Sequence, residues 1–526
     1  MFIRQRIVRS SSGREHTYLE LARTYRKDGK VCQERLCSLG RLDELRESGN
    51  IDRMIASLVK VAKEDWVRKE AVELEAIWSK EYGVVVLVRR LWQDLGLAEV
   101  IGELYRRSPM EVGVEEGLLA MVTNRLVDPR SKLSTYRWLE GVYAPEWEKL
   151  ELSHLYRALD FLDEHIRTVE EALFVRSQDL FSLEVDLVLF DTTDFEGQGP
   201  QGLGKLGLRR DKRPDLVQLV IGVLMTREGI PVAHYVFPGN TADIDAFRHT
   251  VKDVKERFPL EQVIIVADGG VLSEGLLKAL EAEGQGYIVG IPLRKWKAAD
   301  EVLKRGGRYH KVAPNLEVKE VEQDGKRYIL CYNPEQEERD RKERASFVAQ
   351  IEAELARGGL GGLAKKKGYG RYLKVLDEGR AEINWRQVRG EERYDGKYLL
   401  RTSTSLPPAE IAQAYKGLWR VERGFRELKS GLEVRPCYHW TPPRVRGHIA
   451  LCFLALVIEA GLEQVLRAHG CQASVRDVLE AVEQVKAVRV ELDREVFLAR
   501  TQLPPLAQEA FAALGIRPPS KVQLLS

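Results

Sequence analysis

The chain has 526 residues, of which 44% are apolar and 31% charged, with a formal net charge of +2. These values exclude a disordered or fibrous protein, and the length exceeds what one hydrophobic core fills, so two to four domains are expected. The near-neutral sum conceals local excess: residues 1–41 carry ten Lys/Arg against four acids, and residues 203–213 carry five against one. A polyanion can be met at such places even by a protein of low net charge. The six cysteines, Cys32, Cys37, Cys331, Cys437, Cys452 and Cys471, form no CxxC pair. Neither a zinc knuckle nor a disulfide framework is indicated. The start, MFIRQRIVRSSSGREH, is basic but lacks the apolar run of a secretory signal.

In chain order, residues 1–65 open with the β-like runs HTYLELARTYR and KVCQERLCSLGRL joined by KDGK, a hairpin signal in a basic setting. Residues 66–180 turn helical, with apolar residues recurring at three and four. From 181 to 292 the period changes again. EVDLVLFDTTDF reads as a buried strand, LVQLVIGVLMTREGIPVAHYVFPGN as an antiparallel pair, and DIDAFRHTVKDVKERF as an amphipathic helix. QVIIVAD, VLSEGLLKALEAEG and GYIVGIPL follow as strand, helix and strand. The order β-β-β-α-β-α-β is that of a ribonuclease H-like core, a mixed five-stranded sheet that needs one more covering helix.

Residues 293–396 read as a β-rich insertion with a highly charged helix. Residues 397–465 then supply a strand, KYLLRTST, and the missing helix, PPAEIAQAYKGLWRVERGFRELKS, with Pro at its start. The run IALCFLALVIEAGL from Ile449 is interrupted by Glu459 and too short to span a bilayer, so it is expected to be a buried core helix. Residues 466–526 form a C-terminal α/β tail. The fold class is therefore α/β and multidomain, and the protein is expected in the cytoplasm, with no membrane partner.

Three acids stand out. Asp191 ends the first core strand and Asp268 the fourth, and in a sheet of this order those strands are parallel neighbours. Carboxyl ends of strands are where open α/β sheets place their chemistry. Two carboxylates brought together raise each other's pKa unless a cation lies between them. Hard oxygen donors suit Mg2+ or Mn2+. Glu422 fits as a third ligand. Tyr415, Glu422 and Lys429 are spaced by seven, which on a straight helix leaves a drift of only about 20°. One acid among Arg423, Arg426 and Lys429 suits a place where metal and phosphate meet. Each residue alone reads as readily as a turn acid or a solvated stripe; their conjunction on a matching topology carries the argument. GPQGLGKL from Gly199 nearly fits a phosphate loop, but Leu206 stands where that loop needs a hydroxyl. It is read, with Lys205, Arg209 and Arg210, as a basic loop beside the site, and no nucleotide cofactor is expected.

These residues resemble bacterial insertion-sequence transposases of the DDE class, in the branch marked by Tyr-(2)-Arg-(3)-Glu-(6)-Lys. FDTTDFEG is similar to the first-Asp motif, VADGGVLS to the second, and YKGLWRVERGFRELK carries Tyr415, Glu422 and Lys429 at the family spacing. Leu418 occupies the Arg position. Asp194 and Glu196 lie close to Asp191, and the family pattern favours Asp191. The resemblance implies two metal ions on Asp191, Asp268 and Glu422, about 4 Å apart, cutting DNA at the element's ends and joining the 3′-hydroxyl to target DNA. It also implies phosphate contacts from Tyr415 and Lys429, terminal inverted repeats and target DNA as partners, and a homodimer on paired ends. Trp296, in RKWKAAD, is a candidate for stacking on an unpaired base, and the basic N-terminal region for contacting the repeats through phosphates. Two other classes share these residues: a metal-dependent nuclease without strand transfer, and a silent DNA-binding relic.

Overall fold

The computed structural model describes residues 1–9, 15–27, 30–61, 75–110, 113–181, 187–196, 203–206, 217–226, 228–258, 264–267, 274–294, 296–356, 370–375, 381–435, 437, 439–492 and 495–525. Two compact units are present, one of residues 1–79, 486–502 and 518–526, the other of residues 80–485 and 503–517.

In the first unit, β1 (Phe2–Arg9), β2 (Glu15–Lys27) and β3 (Lys30–Arg41) form an antiparallel meander. The expected hairpin is the β2–β3 pair, whose Asp28 and Gly29 lie outside the described residues; β1 adds a strand that the sequence reading did not assign. Glu20 sits at the centre, 2% exposed, with Arg4 at 3.0 Å, Arg6 at 3.4 Å and Arg35 at 3.5 Å. Burial pushes its carboxyl up, and the hydrogen bonds from the three arginines outweigh burial and hold it below its ordinary range. Helices α1 (Leu42–Glu47) and α2 (Asn50–Val61) and strand β4 (Glu75–Glu81) follow.

The second unit begins with a helical layer: α3 (Gly83–Asp94), α4 (Leu97–Arg106), α5 (Val114–Val127), α6 (Lys132–Trp138) and α7 (Leu152–Phe181). Ser131 caps α6, its side chain accepting from the Ser134 amide. The sheet follows, with β5 (Leu187–Glu196), β6 (Lys205–Leu206), β7 (Val217–Thr226), β8 (Pro231–Pro238), α8 (Asp243–Arg257), β9 (Ile264–Ala267), α9 (Glu274–Ala282) and β10 (Gly286–Ile291). Strands β5, β7 and β8 pair antiparallel, while β9 runs parallel to both β5 and β10. The core order is therefore β8-β7-β5-β9-β10. Every residue of β9, and every residue of β7 after its first, is buried, as a sheet covered on both faces requires.

The expected five-stranded core is present, and among the described residues its sheet extends to ten strands. After α10 (Lys297–Lys304) come β11 (His310–Ala313), β12 (Leu316–Gln323), β13 (Lys326–Tyr332), α11 (Pro334–Ala356), β14 (Leu373–Val375), β15 (Ala381–Ile383), α12 (Trp385–Glu391) and β16 (Lys397–Thr402). Strand β16 lies antiparallel between β10 and β13, so β11, β12 and β13 continue the same sheet, and β6 adds to β7. The edge of β10 carries backbone groups that need partners; β16, which follows the insertion, supplies them, and β13 of the insertion covers the far edge of β16. Helix α10 packs on the sheet through Ala299 and Val302, while α11 and α12 gather around a small cluster of their own, Val348, Ile351, Tyr372 and Val388.

Helices α13 (Pro408–Lys416), α14 (Trp419–Arg426), α15 (Pro442–Ala468) and α16 (Val475–Glu483) complete the cover. By length and composition α15 could cross a membrane. Its apolar residues are instead buried against α5, α7 and β8, as expected of a core helix. A buried polar network fastens α7 to the sheet and to α8. Arg257 donates to Glu170 at 2.7 Å and to Asp253 at 3.0 Å, and His234 and Tyr235 of β8 bond Glu170 and Asp253 at 2.8 and 3.0 Å. The tail divides between the units. Strands β17 (Lys486–Leu492), β18 (Glu495–Arg500) and β19 (Val522–Leu525) form a sheet with β4 in the first, while α16 and α17 (Pro505–Ala513) belong to the second.

Helices α15 and α7 meet at Gly447, where an added Cβ would stand 2.3 Å from the Leu159 carbonyl oxygen. Backbone cannot rotate away as a side chain can. Gly447→Ala is expected to cost about 1–3 kcal/mol by overpacking, read as a lower urea midpoint with an unchanged slope.

Candidate active site

The site is built where α13 and α14 cross the sheet. Helix α13 packs on β9, β10, β12 and β13, and α14 packs on β5 and β7. The seat of α14 is close because Gly424 has no side chain: a Cβ there would lie 2.3 Å from Met225 Cε and 3.6 Å from Leu456. Met225 is paired with Leu189, two residues before Asp191, and Asp191 itself is paired with Val223. Strand β5 pairs with β9 over Leu187–Leu189, so Asp191 lies just beyond their parallel contact. Asp268, the residue after β9, lies outside the described residues, as do Arg209 and Arg210. Glu422 is exposed on α14, whose buried face is Val421, Gly424 and Phe425. Among the described residues no group of three His, Cys, Asp or Glu could hold a cation.

The straight helix expected from Tyr415 to Lys429 is broken twice. At Gly417 and Leu418 the backbone stays right-handed but tightens, with Leu418 donating to Tyr415 and Val421 to Leu418. Beyond Arg426 the chain widens into a π turn, Glu427–Gly431, closed by the Leu432 amide on the Glu427 carbonyl at 2.7 Å. Neither a tight nor a wide turn keeps the seven-residue alignment. Tyr415 is accordingly half-buried, stacked on Tyr398 with ring centroids 5.8 Å apart, and its hydroxyl covers Gly290 of β10, where a Cβ would come within 2.1 Å. Leu418 is buried among core residues, which accounts for an apolar side chain at that position. Lys429 is half-buried in the π turn, and Arg426 is exposed one turn beyond Glu422. The segment after the π turn is pinned to the helical layer. Arg125 donates to the Leu432 and Glu433 carbonyls at 3.3 and 3.4 Å, and His448 Nε2 bonds the Val434 carbonyl at 3.2 Å. Burial holds His448 well below its usual pKa, so it is neutral and donates.

Arg423 points away from Glu422 and donates to Glu463 of α15 at 2.7 Å. Lys205 is exposed on β6 in the row of Gln218 and Glu196, not in the row of Asp191. Trp296 lines a cavity of about 340 Å³ with Arg294, Asp300, Arg393 and Tyr394. Arg393 and Arg294 lie over the Tyr394 ring at 4.6 and 5.0 Å. Sequence reading missed Arg393 and Tyr394, because the cavity forms between segments almost a hundred residues apart.

A mixed sheet ordered β8-β7-β5-β9-β10, with α14 packed on β5 and β7, fits the ribonuclease H-like class of α/β core. A family model described as Transposase DDE domain matches residues 185–458, and one described as IS1634 family transposase, N-terminal domain, matches residues 3–71. The first spans more than half of the chain, and the chain belongs to the DDE-domain transposase family. No curated protein matches. The solved Mos1 transposase paired-end complex with left transposon end is similar at 12% identity over 35% of this chain, with a TM-score of 0.15. The match spans 59% of that chain's length, and a score so low carries no argument.

Behind α14, burial and then the neighbouring Glu427 push Glu459 up to about 7, against the pull of Arg423. A carboxyl raised in the fold binds its proton more tightly there than in the unfolded chain, so stability falls as pH rises from about 4.5 to about 7. Glu459→Gln removes that decline. Between pH 5 and pH 7.5 the variant is expected to gain about 2–3 kcal/mol on the wild type, measured by urea unfolding at both pH values.

Proposed function

We propose that this protein is the DNA transposase of an insertion sequence. It binds the ends of its element, cuts DNA there and joins the freed 3′-hydroxyl to target DNA. The observation that carries the reading is the packing of α14, the helix that bears Glu422, on β5, the strand that bears Asp191. A second supports it: the separation between paired residues of β5 and β9, such as Leu187 and Ile264, is also that between Asp191 and Asp268. On continuing that register the two acids become neighbours.

Divalent cations are the metals that such domains use. The donor chemistry fits: three carboxylates are hard ligands, and Glu422 is exposed rather than spent in an ion pair among the described residues. Asp191, Asp268 and Glu422 would hold Mg2+ or Mn2+, with two ions in the active complex. Bound cations supply activation of the attacking water and stabilisation of the leaving 3′-oxygen. Arg426 and Lys429 offer cations to the phosphates flanking the cut, on the turns that follow Glu422. The cavity of Trp296 and Tyr394 accepts an unpaired base by stacking. The arginines around Glu20 contact the terminal repeats through phosphates, and a homodimer in the cytoplasm brings paired ends together.

The test is a plasmid carrying the DNA that flanks the protein's own gene, incubated with the full chain and Mg2+. Cuts at the gene's borders followed by joined products are expected, with both lost in Glu422→Gln. Cuts without joined products would leave a nuclease, and binding without cuts in Mg2+ or Mn2+ a silent relic. Arg426→Gln is expected to lower the slope of log affinity against log salt by about 0.9 without changing which DNA is preferred, measured by fluorescence anisotropy at several salt concentrations.

A further inference from the structure

The face that α15 turns toward α14 carries Leu456, Glu459, Glu463 and Arg467, spaced at three and four along the helix. Leu456 meets α14 at Gly424. Glu463 accepts from Arg423 at 2.7 Å and from Arg467 at 2.5 Å through the same oxygen. The two contacts differ in kind. The first sets how closely α14 approaches β7, since Met225 and Leu456 both reach the space where a Cβ of Gly424 would stand. The second bears on rotation and slide, because a charge-assisted hydrogen bond from Arg423 ties the turn that carries Glu422 to one point on α15. Arg423 follows Glu422 directly, so one residue of α14 faces α15 while its neighbour faces outward.

We infer that Arg423 and Glu463 are positioning residues, a clamp between α14 and α15 that fixes where Glu422 stands relative to β5. The inference rests on the reading of Glu422 as a metal ligand, and it removes Arg423 from the set of DNA contacts. Arg467 keeps the shared carboxylate in place from its own helix. Glu427, Glu459 and Glu228 border the same crevice, with Arg420 beside them. Glu459, near half-protonation at neutral pH, leaves Glu463 as the better anion for Arg423. Losing the clamp leaves the fold standing, since the core contacts of Val421 and Phe425 remain, but lets α14 slide.

Three readouts on the full chain test this, with Glu463→Gln, Arg423→Gln and the conservative Arg423→Lys. Amide exchange over residues 419–426 is expected to rise about tenfold in both Gln variants. Mn2+ binding, followed by calorimetry without DNA, is expected to weaken by a similar factor, while Arg423→Lys stays within about twofold of wild type. Duplex affinity in EDTA is expected to change by less than about twofold in all three. Unchanged exchange and unchanged Mn2+ binding in Glu463→Gln would overturn the clamp and leave the proposed function standing. So would Arg423→Gln losing duplex affinity with its Mn2+ binding intact, which would make Arg423 a DNA contact. A wild type that takes up no Mn2+ would overturn both readings together.

Discussion

The close seat of α14 on β7 at Gly424 is the contact on which the rest of the site depends. A Cβ there would stand 2.3 Å from Met225 Cε, so the end of that thioether would have to turn aside for α14 to keep its seat on β7 and its spacing from β5. The sheet beneath is equally constrained. Strand β5 has an antiparallel neighbour in β7, which pairs Asp191 with Val223, and a parallel one in β9, whose contact ends two residues before Asp191. A carboxylate on a helix and a carboxylate on a strand can share a cation only if helix and strand keep one spacing. The packing that enforces it lies behind the site, in α15 and the helical layer.

That layer is tied to the sheet by more than apolar contact. Helix α15 is buried along most of its length against α5 and α7, and Gly447 lets its backbone touch that of α7. The Arg257–Glu170–Asp253 network adds ion pairs whose side chains are only 2–6% exposed. Such pairs contribute little net stability but are costly to break, because one partner removed leaves the other charged and buried. Arg125 and His448 extend the same layer to the carbonyls beyond the π turn. The chain beyond Lys429 is thus held by Arg125, more than three hundred positions earlier, and by His448, fourteen positions after Val434.

Much of this was legible in the sequence, and for physical reasons. A switch from a period of 3.6 to one of 2 marks where helices give way to strands, so the order from β5 to β10 could be read directly, and Asp191 and Glu422 followed from it. The extent of the sheet could not. Strands β12, β13 and β16 look alike whether they pair with one another or with β10, since periodicity carries no information about partners. The heptad from Tyr415 to Lys429 assumed an unbroken helix. Gly417 gave a local hint of the tight turn, but the π turn at Glu427 arises from tertiary anchoring at Leu432 and Val434. A phosphate contact for Tyr415 came from the family resemblance, not from anything in the local sequence. What the sequence could not show is that its ring stacks on Tyr398 and its hydroxyl covers Gly290, residues that reach it only through the fold. Arg423 looked like one more cation on a basic face until Glu463, forty residues on, was found opposite it.

The central claim is that a strand acid and a helix acid form one cation site, and metal binding tests it most directly. Electron paramagnetic resonance would count Mn2+ bound to the wild type and to Asp191→Asn, Asp268→Asn and Glu422→Gln, each checked for an unchanged fold. The account predicts that every one of the three substitutions weakens or abolishes the bound signal. Wild-type binding in Glu422→Gln, with loss in the two aspartate variants, would mean that α14 has no part in the site.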